Sequence, residues 1–258
     1  MAYSLNDLEN QAKRLRLTPM LKHAKELDQD PKTTLMSHAD WLKILMDAEC
    51  LRRDTEAVKR RIQSANFYFH GTACISDIDW ESNRGLKRSL IETLASCDWV
   101  RNHHNCIITG MTGCGKTWIA EALAHAACVQ GFTVKADTLS QLIKEYQRNN
   151  NADNPTVQKP YLASLDKLQL LLIDDWGLDE ISRAQCFSLY EMIKRIAPHC
   201  SFLITSVIPV KDCWFKYLVD PTLADSILDR LVPRSYRIEI KGESMRSKEE
   251  YGALPKNK

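Results

Sequence analysis

The segment that most limits how this chain can fold is the run Gly-Met-Thr-Gly-Cys-Gly-Lys-Thr at positions 110 to 117. Glycines let successive backbone N–H groups curl around anionic oxygens, a Lys can reach phosphate oxygens, and a hydroxyl can hold Mg²⁺. Residues 106 to 109 predict a strand before this run, and a helix is expected to begin at Lys116 and to add partial positive charge at its N-terminus. Strand, glycine-rich turn and helix together predict a phosphate-binding loop rather than a plain connecting turn.

This loop defines a candidate site for ATP and Mg²⁺. Lys116 is expected to reach the β- and γ-phosphates, and the hydroxyl of Thr117 is expected to bind Mg²⁺. The residues assigned to nucleotide binding are Gly110, Met111, Thr112, Gly113, Cys114, Gly115, Lys116, Thr117 and Trp118.

A second segment, Leu-Leu-Leu-Ile-Asp-Asp-Trp-Gly at positions 170 to 177, predicts a buried strand that ends in two acids. Asp174 is the expected Mg²⁺ ligand through water, and Asp175 is expected to polarise the attacking water. Paired acids after a strand are often only a solvated turn. Because a phosphate-binding loop precedes them in the same chain, the catalytic interpretation is favoured.

The second half of the chain alternates between predicted strands and helices. Strands are expected at 106–109, 132–135, 168–173, 202–206 and 236–240, and helices at 116–129, 138–146, 183–196 and 222–231. This alternation predicts an α/β fold, a parallel five-stranded sheet with helices on both faces. The strand at 132–135 lies between the loop and the acids in chain order. This order is compatible with an additional strand between the loop strand and the acid strand in the sheet. ATPases that carry their own catalytic acid have that topology. Residues 148–159, rich in Asn, predict a mobile surface loop.

The N-terminal part predicts a small all-α domain. Helical segments are expected at 5–28, interrupted at Thr18-Pro19, and at 41–62, with a further helix at 86–100. We predict a helical domain over residues 1–65 for DNA or partner contacts, a linker over 66–85 and the nucleotide-binding domain over 86–258. The helix at 41–62 carries basic residues off its apolar seam, which could contact DNA phosphates or form a solvated face. These residues are Arg52, Arg53, Lys59, Arg60 and Arg61.

Composition excludes several classes of protein. The longest apolar runs, such as residues 170–173, are far shorter than the roughly 20 residues of a membrane span. The N-terminus lacks the features of a secretory signal, so a cytoplasmic location without membrane partners is expected. Nine cysteines without a CxxC pair predict reduced thiols. The formal net charge of +2 is too small to predict nucleic-acid binding by itself.

Five segments together resemble the IstB family, which comprises AAA+ ATPase helpers encoded by insertion sequences and related to DnaC helicase loaders. They are residues 110–117, 170–177, 203–206, 220–231 (Asp-Pro-Thr-Leu-Ala-Asp-Ser-Ile-Leu-Asp-Arg-Leu) and 242–246 (Gly-Glu-Ser-Met-Arg). The resemblance covers essentially the whole chain. It implies a protein that forms a homo-oligomer, ring or helical, on double-stranded DNA with ATP, deforms the DNA and presents it to a partner transposase. A helicase loader is the alternative, and a nucleotide-binding regulator without hydrolysis is a third.

The resemblance also implies roles for residues outside the loop. In this family the nucleotide lies at subunit interfaces, and Arg230 matches the arginine that reaches a neighbour's γ-phosphate; a surface salt bridge with Asp225 or Asp229 is the alternative. Thr205 and Ser206 match the hydroxyls that sense this phosphate, and Ser206 is our choice.

Three departures from the family pattern affect these assignments. Val207 stands where relatives often have a polar side chain, which leaves the identity of the sensing hydroxyl open. The chain is expected to lack a C-terminal helical lid, so Arg246 could serve as a second sensor, or be a plain exposed arginine. Asp175 is one methylene shorter than the Glu of many AAA+ proteins, which predicts slow ATP hydrolysis.

Overall fold

The computed structural model describes residues 5–80, 85–150, 155–242 and 244–245. The chain divides into two compact units, Met1–Arg60 and Arg61–Lys258. The first unit contains helix α1 (Leu5–Arg14), helix α2 (Thr18–Asp28), a 3-10 helix (Pro31–Leu35) and most of helix α3 (His38–Ser64), which continues into the second unit. The proline near the start of α2 favours the beginning of a helix there, because proline has no N–H to leave unpaired.

The second unit has one or two helices between each strand and the next from residue 105 onward, in agreement with the predicted α/β alternation. Its elements are α4 (Arg88–Ala95), α5 (Asp98–Arg101), β1 (Asn105–Gly110), α6 (Lys116–Val129), β2 (Val134–Thr138), α7 (Leu139–Asn149), α8 (Pro155–Leu165), β3 (Leu170–Trp176), α9 (Arg183–Ile196), β4 (Ser201–Ser206), α10 (Lys211–Tyr217), α11 (Pro221–Leu231) and β5 (Ser235–Ile240).

Three local expectations differ from the structure. The helix expected over 86–100 is two helices, because Cys97 adopts a left-handed backbone conformation (φ 59°) that interrupts it. Residues 155–159, expected in a loop, begin α8; residues 151–154 of that expected loop lie outside the described part of the chain. Helix α10 was not predicted, since its seven residues are too few for a clear helical period.

The five strands form one parallel sheet in the order β2-β3-β4-β1-β5. The strand between the loop strand β1 and the acid strand β3 is therefore β4. This corrects the expectation that the strand near 132–135 could lie between them, because β2 is at the edge of the sheet. Ala136 of this edge strand donates its backbone N–H to the carbonyl oxygen of Ala65 at 2.7 Å, so part of the open edge is paired.

Each face of the sheet has its own hydrophobic core. Side chains of successive strand residues point to opposite faces, so Leu170 and Leu172 of β3 pack in one core and Leu171 and Ile173 in the other. The first core includes α4, α5 and α6, and the second includes α7, α9 and α11. Segment 65–78, largely within the range assigned to a linker, contributes the buried side chains of Ala65, Phe67 and Ile78 to the first core.

The carboxyl ends of parallel strands meet at one edge of the sheet, which is where α/β proteins of this kind bind ligands. At this edge β1 ends in Gly110, β3 carries Asp174 and Asp175, and β4 ends in Ser206. Within the described ranges, no helix has both the length and the apolar character needed to cross a membrane.

Candidate nucleotide-binding site

The phosphate-binding loop has the backbone that its glycines predict. Gly113 and Gly115 have φ values of 83° and 90°, a left-handed region that only glycine adopts without strain. Gly115 is the N-cap of α6, so the first backbone N–H groups of this helix point towards the site. Lys116 is 7% exposed, and its Nζ donates to the carbonyl oxygen of Met111 at 2.9 Å. The ammonium group is thereby held across the loop.

Thr117 and Asp174 are 57 residues apart in sequence and in contact in the structure. The Thr117 Oγ1 lies 3.0 Å and 3.2 Å from the two carboxylate oxygens of Asp174. A hydroxyl and a carboxylate are ligands suited to Mg²⁺, which usually takes few protein ligands and completes its shell with water and phosphate oxygens. The two residues assigned to Mg²⁺ from the sequence therefore fit that ion.

The two acids of β3 lie in a β-bulge. Ile173 pairs with Ile204 and Trp176 with Ser206, so Asp174 and Asp175 together face Thr205. Asp175 has a φ of 58°, a left-handed conformation that Asp tolerates better than most residues. The bulge orients the two carboxylates differently, although they are adjacent in the chain.

A cavity of about 110 Å³ adjoins Asp175. Its lining includes Thr138 and Ser140 at the start of α7, Asp179 in the loop after β3, and Tyr217 at the end of α10. This volume is large enough for water beside the Asp175 carboxylate. Burial is the main cause that raises the pKa of Tyr217 to about 12, so its hydroxyl is protonated at neutral pH.

Thr205, and not Ser206, faces the acids. Its Oγ1 donates to the Asp174 carboxylate and accepts the backbone N–H of Asp175 at 3.2 Å. The hydroxyl of Ser206 is fully buried on the other side of β4, within 2.9 Å of the carbonyl oxygens of Trp176 and Ile208. The strand-end hydroxyl beside the acids therefore belongs to Thr205, a placement that does not favour the choice of Ser206, and the identity of the sensing hydroxyl stays a prediction. Val207, the next residue, lines a groove beside the loop.

The proposed trans-acting arginine has no ion-pair partner among the described acids. The guanidinium of Arg230 contacts the carbonyl oxygen of Ser226 and lies 5.9 Å from the ring centroid of Tyr190 on α9. The alternative, a salt bridge with Asp225 or Asp229, is absent among the residues that the structure describes.

Glu121 is a buried acid that the sequence analysis did not single out, and its charge interacts with that of Asp174. It lies one turn after Thr117 on α6, is 2% exposed and accepts the backbone N–H groups of Tyr68 and Phe69. Burial raises the pKa of its carboxyl group, the hydrogen bonds from the two N–H groups lower it, and the charge of Asp174 raises it further. An acid within the otherwise apolar run Ile-Ala-Glu-Ala-Leu was the available signal.

Ser244 and Met245, two residues of the motif at 242–246, lie against the phosphate-binding loop. The backbone N–H of Met245 donates to the carbonyl oxygen of Gly113 at 2.9 Å. A Cβ atom on Gly113 would lie 2.2 Å from the Oγ of Ser244, so the close approach also requires glycine there. Arg246, the expected second sensor, lies outside the described residues.

A groove of about 1360 Å³ opens beside the loop. Its lining includes Gly110 and Met111 of the loop, Leu228 of α11 and Ile240 of β5. Ligand sites of drug-sized molecules are typically about 300–1,000 Å³ and mostly apolar. The groove therefore has room for the base and ribose of a nucleotide whose phosphates lie in the loop.

The basic cluster on α3 is partly neutralised by acids of the same helix. Arg52 and Arg53 both bind the buried carboxylate of Glu49, at 2.8 Å and 2.7 Å. Hydrogen bonding to Arg52 is the main cause that lowers the pKa of Glu49 to about 2. Lys59 lies 3.7 Å from Glu56. Contact between this cluster and DNA stays a prediction. In the conformation described, Arg52 and Arg53 would contact DNA while bound to Glu49.

The fold and site together define an AAA+ nucleotide-binding protein. Solved structures agree in fold: DnaI has a TM-score of 0.52 at 19% identity, with 66% of this chain and 92% of that chain covered. The DnaC helicase loader has a TM-score of 0.50 at 16% identity, with 70% and 99% covered. At such low identities the likeness concerns the fold alone.

Sequence comparison identifies the family. The family of IstB-like ATP binding proteins matches residues 10–253. A protein of Sinorhizobium fredii, named for an insertion sequence and for ATP binding, is 34% identical over 237 residues, which cover 92% of this chain and 93% of the relative. The chain therefore belongs to the IstB-like ATP-binding family, and the resemblance inferred from its motifs is confirmed.

Proposed function

We propose that this chain is an ATP-dependent helper of transposition. In this role it forms a homo-oligomer, ring or helical, on double-stranded DNA, deforms the DNA and presents it to a partner transposase. The observation that carries the proposal is family membership over nearly the whole chain, among relatives named for insertion sequences. Such a helper acts on cellular DNA, so the cytoplasm is the compartment that the proposal requires.

The proposed chemistry is slow hydrolysis of ATP at a site shared between subunits. Lys116 would bind the β- and γ-phosphates, and Thr117 and Asp174 would hold Mg²⁺, which when bound would neutralise phosphate charge. Asp175 orients the water that attacks the γ-phosphorus. Arg230 of a neighbouring subunit stabilises the charge that develops on the transferred phosphoryl group. Hydrolysis then depends on assembly, because no single chain holds the complete set of groups.

The N-terminal residues 1–65 are the proposed region for DNA and partner contacts. Basic side chains neutralise DNA phosphates without reading the sequence, and an oligomer repeats a weak patch many times. Lys59, Arg60 and Arg61 are the members of the basic cluster that do not bind Glu49. Removing them should therefore flatten the salt dependence of DNA binding more than removing Arg52 and Arg53.

Sedimentation velocity tests the assembly. The chain should sediment as a large complex with duplex DNA and ATP together, and as a much smaller species when either is omitted. Lys116→Ala is the control, since without this ammonium group nucleotide binding and assembly should both be lost. A chain that stays monomeric on duplex DNA with ATP would refute the helper function.

Nucleotide binding and hydrolysis, measured separately, test the shared site. Arg230→Ala should leave ATP affinity intact and lower hydrolysis by about 10³-fold or more, as expected for an arginine acting in trans. Lys116→Ala should lose both. Equal loss of ATP binding in the two variants would show that Arg230 acts within its own subunit.

A helicase loader is the second candidate, favoured by the fold shared with the DnaC loader. The two functions require the same nucleotide site and differ in the partner. A helper should assemble on duplex DNA alone and bind the transposase encoded next to it. A loader should instead form a stable complex with a replicative helicase, which size-exclusion chromatography of the mixture would detect.

A further inference from the structure

Two fully buried tryptophans lie directly behind the acidic end of β3. Trp176 follows Asp175 in the chain, and its ring stacks on that of Trp214 in α10, with centroids 4.6 Å apart and an angle of 27° between the planes. Close-packed interiors transmit displacement because they leave little free volume. A movement of the strand end that carries the acids would therefore press directly on α10.

The hydroxyl of Ser206 joins this stack to the end of β4. Its Oγ accepts the indole N–H of Trp214 at 3.2 Å and lies 2.9 Å from the carbonyl oxygens of Trp176 and Ile208. Successive strand residues face opposite sides of a sheet, so Thr205 contacts Asp174 while Ser206 contacts Trp214. The last two residues of β4 thus connect the Mg²⁺ side of the site with α10.

A short, well-anchored connection leads from α10 to α11. The thiol of Cys186 donates to the carbonyl oxygen of Leu218 at 3.1 Å. Asp220 caps α11 by accepting two backbone N–H groups of its first turn, both at 3.1 Å, and binds Arg183 at 2.8 Å. These contacts hold the start of the helix whose last turn carries Arg230. A displacement of α10 would therefore be passed to Arg230 rather than absorbed in a loose loop.

We propose that Ser206 and Trp214 are positioning residues that set Arg230 for the nucleotide site of the next subunit. The inference rests on the proposed function, in which Arg230 acts in trans. Displacement of the acidic end of β3 would then pass through the packed Trp176–Trp214 pair to α11. Through this path the state of a subunit's own nucleotide site is linked to its ability to complete the site of its neighbour. Ser206 thus acts away from the nucleotide that its own subunit binds.

Two substitutions remove opposite ends of the hydrogen bond between β4 and α10. Ser206→Ala removes the acceptor, and Trp214→Phe removes the donor while keeping an aromatic ring in the stack. Both should bind ATP as the unmodified chain does, because Thr117 and Asp174 are untouched. Each alone should hydrolyse ATP about 100-fold more slowly on duplex DNA, the scale expected when a catalytic group is displaced by about 1 Å. Wild-type hydrolysis by both variants would overturn the inference.

A mixing experiment separates positioning in trans from a role inside the subunit's own site. Asp175→Asn should bind ATP, lack the carboxylate that orients water, and keep Arg230 in place. Mixed with Ser206→Ala or Trp214→Phe, it supplies intact arginines to subunits whose own sites can still hydrolyse ATP. The mixture should therefore hydrolyse ATP faster than the sum of the two variants measured apart.

Arg230→Ala mixed with Asp175→Asn is the matched control. If this control regains hydrolysis and the Ser206 and Trp214 mixtures do not, those residues act within their own site and the inference is overturned, while the shared site stands. If the control also stays inactive, Arg230 does not act in trans and the proposed function fails with the inference. Thermal unfolding of each variant identifies one that fails to fold, and the other variant then carries the test.

Discussion

Replacing Thr205 by Val tests how the two acids of β3 are held apart. Val keeps the shape of the side chain and removes the hydroxyl that bonds the Asp174 carboxylate and accepts the Asp175 N–H at 3.2 Å. Thr205 is fully buried, so water cannot replace it. Loss of the hydrogen bond from the Asp175 N–H to a buried acceptor costs about 1–3 kcal/mol, and Asp174 also loses one of its hydroxyl donors while Thr117 remains.

We expect a loss of about 2 kcal/mol in the free energy of unfolding, which lowers Tm by roughly 4–8 °C for a domain of this size. Thr205→Ser is the control, because it keeps the oxygen and loses one methyl group, worth about 1 kcal/mol. Calorimetry without nucleotide, with ATP, and with ATP and Mg²⁺ measures both stability and binding. The Mg²⁺-dependent part of the rise in Tm should shrink in Thr205→Val and persist in Thr205→Ser.

Two results would refute this reasoning. If Thr205→Val and Thr205→Ser unfold at the same temperature, the hydroxyl does not hold the bulge. If Thr205→Val keeps the full Mg²⁺-dependent rise, the orientation of Asp174 does not depend on Thr205.

Further predictions concern Gly113 of the phosphate-binding loop and the buried acids Glu121 and Glu49. Gly113→Ala should lose ATP binding and about 1–3 kcal/mol of stability, because its φ is 83° and Ser244 leaves no room for a Cβ. Gly131→Ala is the control: its φ is 98°, its Cβ would meet only the Arg61 guanidinium at an ordinary 3.9 Å, and it should bind ATP normally by isothermal titration calorimetry. Burial raises the pKa of the Glu121 carboxyl group above 4.5 in the folded chain. The folded chain therefore takes up this proton before the unfolded chain does, and the free energy of unfolding rises as pH falls through the raised pKa towards 4.5. Denaturant unfolding should show the unmodified chain gaining stability relative to Glu121→Gln over this window, and a constant difference would contradict it. The pKa of Glu49 is lowered to about 2, so its stabilising effect is present above 4.5 and lost as pH falls to about 2. The stability difference from Glu49→Gln, followed by circular dichroism, should disappear in that range.

The nucleotide site was largely predictable from sequence because its parts are local motifs. The glycines and Lys116 of the loop are contiguous, and Asp174 and Asp175 follow an apolar strand, so each half could be recognised alone. Their meeting at one edge follows from the parallel arrangement of the strands. The contact between Thr117 and Asp174 is the result.

The choice between Thr205 and Ser206 could not be made from sequence. Which of two adjacent strand residues faces the site depends on register, and the bulge at Asp174 and Asp175 adds a residue to one strand of the pair. No local sequence motif predicts such a bulge. The order of β2 and β4 in the sheet was similarly hidden, because chain order does not determine which strands are neighbours.

Long-range contacts account for the remaining differences. The segment around Phe67 has no strong helical or strand period, yet its amides bind Glu121 and its side chains enter the core beside α6. Cys97 takes a left-handed conformation that its residue type does not favour, which splits a predicted helix. Both features depend on packing between segments distant in sequence.

Electron cryo-microscopy of the chain on duplex DNA with a slowly hydrolysed ATP analogue tests the shared nucleotide site most directly. A regular assembly is expected, in which each γ-phosphate lies between Lys116 of one subunit and Arg230 of the next. Single subunits on the DNA, or an assembly in which Arg230 points away from every neighbouring nucleotide, would contradict it.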